Sequence, residues 1–220
     1  VPDDRTATAA ALLDWVRVFA TRVEEHKQEL TRLDSAIGDA DHGINMQRGM
    51  AAVMESMDEL ATDDVAKAFG SIGMTLVSKV GGASGPLYGT FFLRLGTTGG
   101  AVDALDAAAL GKALRAGLEG VIARGKAEVG DKTMIDALTP AVDAFDAAVA
   151  EGADLAVATT RAAEAAAGGR EATRDLLARK GRASYLGERS IGHIDPGAAS
   201  AALLMEALAA ALGTGAPGTS

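Results

Sequence analysis

Cysteine is absent from the chain's 220 residues, which removes disulfides, zinc–thiolate centres and thiol nucleophiles from consideration. Aromatic residues make up only 4%, and β-branched residues are sparse, so little in the chain favours a sheet. Basic residues are too few and too scattered for nucleic acid: 21 Lys and Arg stand against 30 Asp and Glu, with no basic stripe. No apolar stretch of about eighteen residues runs free of charge, so no segment reads as a membrane span. The opening "VPDDRTATAA" is polar and lacks the apolar core of a secretory signal. A soluble cytoplasmic protein is the expectation.

What the chain has in abundance is alanine and leucine, both strong helix formers. Apolar positions recur at helical spacing almost throughout. Leu12, Val16, Phe19 and Val23 mark a first helix ending near Leu30, and Met46, Met50, Val53, Met57 and Leu60 a second. Val65 to Val80 carries a third stripe, and a fourth helix starts at Ser84, a good N-cap after two glycines. Leu110 to Val121 marks a fifth, and Ile135 to Val149 a sixth that contains Pro140. Residues 154–180 read as a seventh and 196–212 as an eighth, with Pro196 at its first turn. Short connections between helices of this length predict antiparallel neighbours. The expected fold is therefore all-α: one domain over 1–212, an eight-helix up-and-down bundle, followed by a disordered tail over 213–220.

Four stretches break the periodicity: 34–45, 81–85, "GKAEVGDKT" at 125–133, and "RASYLGERSIGHIDPGA" at 182–198. They follow helices 1, 3, 5 and 7, and alternate connections of an up-and-down bundle lie at the same end. Counting helices alone therefore gathers all four on one rim.

The first stretch, "LDSAIGDADHGINM", crowds Asp34, Asp39 and Asp41 into eight positions of a chain with net charge -9. Such crowding is unfavourable unless a cation offsets it. A solvated acidic turn that caps helix 2 is the plain alternative. An EF-hand loop fails, because Gly43 and Met50 stand where a ligand and a bidentate Glu are required. Magnesium suits the stretch better, since it keeps waters and phosphate oxygens and needs few protein carboxylates. The second stretch, "KVGGASGPLYGT", puts glycines and Ser84 before a helix, a pattern that serves either an anion or a structural turn. It is not a Walker A loop, because no Gly-Lys-Ser/Thr follows. In the last stretch Arg182 could reach a phosphate through its planar fork, while His193 reads as a hydrogen-bonded structural histidine rather than a base.

Taken together, "GDADHG" with Asp34 upstream, "GGASGPLYGTFF", "GDKTMIDAL" and "GRASYLGERSIGHIDPGA" closely resemble the nucleotide-binding L subunit of dihydroxyacetone kinases, from about residue 8 to 212. The resemblance implies an eight-helix antiparallel barrel with the nucleotide, ADP or ATP, at one end. It implies that Asp34, Asp39 and Asp41 hold two Mg2+ ions. It implies that His42, Gly43, Ile44 and Asn45 wrap the phosphates with Ala83 and Ser84, while Gly125 and Met134 flank adenine and ribose. Arg182, Asp195, Pro196 and Gly197 match the closing loop, with Arg182 and the three aspartates as the catalytic set. The implied partners are a separate K subunit, which holds the sugar covalently through a histidine, and a phosphohistidine M subunit that recharges resident ADP. Two other readings remain open: the L half of a split ATP-dependent triose or tetrose kinase, and a nucleotide-sensing module that acts on a transcription activator.

Overall fold

The computed structural model describes residues 6–57 and 63–213. Eight α-helices follow in order among these residues: α1 (Ala9–Ile37), α2 (His42–Met57), α3 (Val65–Lys79), α4 (Ser84–Gly99), α5 (Ala107–Gly125), α6 (Ile135–Ala150), α7 (Leu155–Ala172) and α8 (Pro196–Leu212). Each packs on the next, and α8 returns to α1, so the bundle closes into a barrel. Leu60 and the 214–220 part of the expected tail lie outside the described residues.

The apolar stripes face inward as their spacing predicts. Leu12, Val16, Phe19 and Val23 of α1, Val65, Phe69 and Ile72 of α3, and Leu110 and Leu114 of α5 are fully buried. Aromatics are few, and Trp15, Phe69, Phe91 and Phe92 gather in one place. Trp15 lies 6.0 Å from Phe69 and 5.7 Å from Phe92 between ring centroids, and Phe69 stacks on Phe92. The indole N–H of Trp15 donates to the Leu204 carbonyl at 2.8 Å, which pins α1 to α8 through the core. Elsewhere small residues let helices approach closely. Gly73 of α3 and Gly89 of α4 face each other so tightly that a Cβ on either would come within 2.8 Å of the other's carbonyl oxygen.

Three features depart from the expectation. A two-stranded antiparallel ribbon, β1 (Thr6–Thr8) with β2 (Ala104–Asp106), ties the start of α1 to the start of α5. Its residues then cap the helices they precede, Thr8 accepting from the Ala11 N–H and Asp106 from the Ala109 N–H. Second, α1 runs to Ile37 rather than Leu30, because Leu30, Asp34 and Ile37 continue its buried face. Third, α7 stops at Ala172 instead of reaching 180. The carbonyls of Thr173, Arg174 and Leu176 turn to the Lys132 ammonium instead of continuing the helical ladder.

The helix starts differ between the two ends of the barrel. Away from the four long connections, Thr8, Asp64, Asp106 and Asp154 each cap an odd-numbered helix through a side-chain oxygen. At the other end, α4 begins after Ala83 with no side-chain cap, which leaves its first turn open to an acceptor from outside.

Candidate functional site: an acidic cavity at the barrel rim

The four connections do meet at one end. Segments from all of them line a cavity of about 210 Å³ that includes Asp34, Asn45, Ser84, Met134, Arg182 and Asp195. An adjoining, more apolar hollow of about 330 Å³ shares Ala83, Leu87 and Met134 with it and extends to Val121, Gly125 and Ala127.

Asp34, on the last turns of α1, is buried. Its carboxylate accepts the Asp41 and His42 backbone N–H groups at 2.8 and 3.1 Å, so α1 caps the start of α2. Gly38 lies against this carboxylate so closely that a Cβ would overlap it. Between the other two acids, Ala40 adopts a left-handed backbone at φ 62°, a strained conformation for a residue with a Cβ. The result is that one carboxylate oxygen from each of Asp34, Asp39 and Asp41 lies within 4.8 Å of the others. Arg182 reaches across from the far wall to Asp39 at 2.9 Å, with 69% of its side chain exposed. A largely exposed guanidinium thus stands beside the three acids, and the donor set of hard oxygens around a compact gap suits a small divalent ion.

Beneath the cavity floor runs a chain of buried hydrogen bonds. Ser200 of α8 donates to the Gly197 carbonyl at 3.0 Å, which commits its one proton. It therefore accepts from the Tyr88 hydroxyl at 2.7 Å and from His42 Nε2 at 2.9 Å. With Nε2 protonated, His42 Nδ1 accepts the Ser84 hydroxyl proton at 3.2 Å. Burial pushes the imidazole below its ordinary range, against the opposing pull of Asp34 and Asp41, which favours this neutral form. Tyr88 is pushed well above the usual tyrosine range, mainly by burial, and stays a hydroxyl donor.

On the opposite wall, Asp195 caps α8 through the Ala198 N–H at 2.7 Å. Part of the residue opens on the cavity, yet burial pushes its carboxyl up to about 7, with Asp136 and Asp34 adding to the rise and the Ala198 N–H and Lys132 opposing it. Asp136 closes the 126–134 loop by accepting from the Gly130 and Thr133 N–H groups.

Of the residues singled out in the sequence, Asp34, Asp39, Asp41, His42, Asn45, Ala83, Ser84, Met134, Arg182, Asp195, Pro196 and Gly197 all line the cavity. Gly125 lines the adjoining hollow. Gly43 and Ile44 do not belong to either lining: Gly43 packs on Lys27 and Thr31 of α1, and Ile44 is 48% exposed beside the same helix. Helical geometry explains the difference, because His42 and Asn45 are three apart and share a face while the two residues between them turn away. Asp34 also sits on a helix rather than in the loop where its spacing placed it. Lys132, Tyr88, Thr133 and Ser200 were missed: Tyr88 and Ser200 lie within helical runs, and Lys132 and Thr133 stand at the end of the 125–133 stretch, where nothing local marks them.

Fold and cavity together define a class: a helical barrel with a carboxylate cluster facing an uncapped helix start and an arginine across an end-opening cavity. The chain belongs to the DAK2 domain family, whose model matches residues 36–210. It is 52% identical over 198 residues to the PEP-dependent dihydroxyacetone kinase 1 ADP-binding subunit DhaL of Listeria innocua, covering 89% of this chain and 93% of that one. It is 44% identical over 200 residues to the DhaL subunit of the Escherichia coli PEP-dependent kinase, covering 91% and 95% of the two chains. Among solved structures, the dihydroxyacetone kinase of C. freundii in complex with AMP-PNP and Mg2+ matches with TM-score 0.66 and 28% identity. That match covers 89% of this chain and 33% of the longer one. No helix among the described residues is long and apolar enough to cross a membrane.

Proposed function

We propose that this chain is the nucleotide-binding subunit of a dihydroxyacetone kinase, acting on a sugar held by a separate K subunit. The observation that carries the reading is the convergence of Asp34, Asp39 and Asp41 opposite the open start of α4. Carboxylates and backbone N–H groups across one gap suit a metal-bound polyphosphate, whose charge each half matches in part. Asp34, Asp39 and Asp41 would hold two Mg2+ ions, which when bound offset negative charge on the phosphates. Ala83 and Ser84 present the α4 N-terminus to the diphosphate, and Met134 with Gly125 offers the apolar hollow to the base. Asp34 is held rigid by its two N–H donors and needs no reorganisation when a cation arrives.

Arg182 has the mobile role. It is largely exposed and paired with a single carboxylate, a contact worth little in water. On loading, its guanidinium can exchange Asp39 for the transferring phosphoryl group and offset charge there as transfer proceeds. The acceptor hydroxyl and its base come from the K subunit.

The likeness to ADP-binding subunits of PEP-dependent kinases favours a resident ADP, recharged in place by a phosphohistidine M subunit, over ATP exchange. A reconstitution decides between them: the chain mixed with a K subunit should form dihydroxyacetone phosphate when PEP drives the phosphohistidine donor. Transfer from ATP alone, at the same rate and without the donor, would replace this reading with the exchanging kinase.

A further inference from the structure

Lys132 is 1% exposed, one of the largest fully buried side chains among the described residues. An ammonium in that position is costly unless every proton finds an acceptor. Its acceptors are all backbone carbonyls: His193 at 2.5 Å, Thr173 at 2.6 Å, Leu176 at 3.1 Å and, more distantly, Arg174 at 3.4 Å. Three of these belong to the chain just after α7, and the fourth to the chain just before α8. Both feet of the 173–195 segment therefore meet on one nitrogen. Between the feet, Lys180, Gly181, Arg182 and Ala183 line the cavity.

Lighter contacts repeat the same closure. The Gly192 N–H donates to the Arg174 carbonyl at 2.8 Å, and the Asp195 N–H to Thr173 Oγ1 at 3.0 Å. On the other side, the Arg179 N–H donates to the Asp131 carbonyl at 3.1 Å, which ties the segment to the loop carrying Lys132. Lys132 itself adopts φ 63°, a left-handed backbone that a lysine takes only under constraint. Its neighbours Thr133 and Met134 continue into the cavity wall.

We propose that Lys132 is the positioning residue of this site, its buried ammonium clamping both feet of the 173–195 segment so that Arg182 and Asp195 face the carboxylate cluster. Lys132 borders the cavity, but its ammonium protons are committed to backbone carbonyls, so it acts through the segment it holds. Without it, the carbonyls of Thr173, Leu176 and His193 lose their shared donor and the two feet part. The effect on ligand binding rests on the nucleotide reading above; the clamp itself does not.

The test is amide hydrogen exchange on the protein without ligand, for wild type and Lys132→Met, followed by titration with Mg·ADP. Lys132→Met should raise exchange at least tenfold in peptides spanning 173–195, leave α3, α4 and α5 protected, and weaken Mg·ADP by tenfold or more. Unchanged exchange in 173–195, an equal rise across α3–α5, or local loosening with full Mg·ADP affinity would each overturn the proposal. If Lys132→Met fails to fold, Lys132→Gln, whose amide keeps two of the donors, should raise exchange in 173–195 by less than tenfold while α3–α5 stay protected; unchanged exchange in 173–195 would then overturn the proposal. If wild type itself fails to bind Mg·ADP, the nucleotide reading falls, and the exchange pattern alone decides the clamp.

Discussion

At the scale of single residues, Asp34 shows how the site joins structure and chemistry. Its carboxylate caps α2 through two backbone N–H groups while an oxygen still lies among those of Asp39 and Asp41. Removing it would therefore confound folding with binding. Asp41 is the cleaner probe, because its backbone N–H, not its carboxylate, makes the bond to Asp34: Asp41→Ala should weaken Mg·ADP by at least a hundredfold while the far-ultraviolet circular dichroism stays unchanged. Unaltered affinity on titration would refute the metal assignment. Asp195 carries a different signature. Its carboxyl is pushed up to about 7, so the folded chain keeps a proton that the unfolded chain has already released. That contribution to stability is complete below the ordinary carboxylate value and is lost as pH rises towards 7. Asn caps a helix as well as Asp and does not titrate. Without ligand, Asp195→Asn should therefore gain on wild type by about 1–2 kcal/mol between about pH 4 and pH 8, allowing for the residue's partial opening to the cavity. Thermal melts at the two pH values check it, and a constant difference between the proteins would contradict the burial argument.

At the scale of elements, most of the helices could be read from periodicity, because a 3.6-residue stripe needs only local sequence. Met46, Met50, Val53 and Met57 are buried as their spacing required, and Met57→Ala should cost about 2–5 kcal/mol in chemical denaturation. What could not be read were the points where a distant group decides a helix end. Asp34 looked like a loop residue because a buried aspartate on an apolar stripe makes sense only once the α2 N–H groups it caps are known. The end of α7 depends on Lys132, 41 positions away from Thr173, and no local rule reports it. The α3–α4 contact was equally silent: glycines inside helices read as weak points, yet Gly73 and Gly89 set the separation of the two axes. Gly89→Ala would drive a Cβ to 2.8 Å from the Gly73 carbonyl oxygen and should destabilise by about 1–3 kcal/mol, with the melting temperature falling accordingly. A variant as stable as wild type would show that the helices can separate freely.

At the scale of the whole molecule, the site follows from topology. Eight antiparallel helices place every second connection at the same end, so residues as far apart as Asp34 and Asp195 become neighbours through the order of elements alone. That placement was legible from counting helices, and the composition of the cavity was largely legible from the four irregular stretches. The hidden part was the framework that supports the lining, in which Tyr88 and Lys132 themselves border the cavity. Ser200, Tyr88 and Lys132 bear on the site through His42, the cavity floor and the 173–195 segment, and their partners lie on other helices or far along the chain. The chain carries net charge -9, yet the 170–193 stretch holds Arg170, Arg174, Arg179, Lys180, Arg182 and Arg189 against Glu171, Asp175 and Glu188. A local cationic rim of this kind attracts anionic ligands to an otherwise acidic protein.

The central claim is that this cavity holds a nucleotide as a standing part of the protein. The direct measurement is to purify the chain without added nucleotide, quench it in acid and quantify what is released by ion-pair chromatography. The account predicts ADP at close to one equivalent. A protein that releases none would contradict the standing nucleotide, and one that also binds neither Mg·ADP nor Mg·ATP on titration would overturn the nucleotide reading altogether.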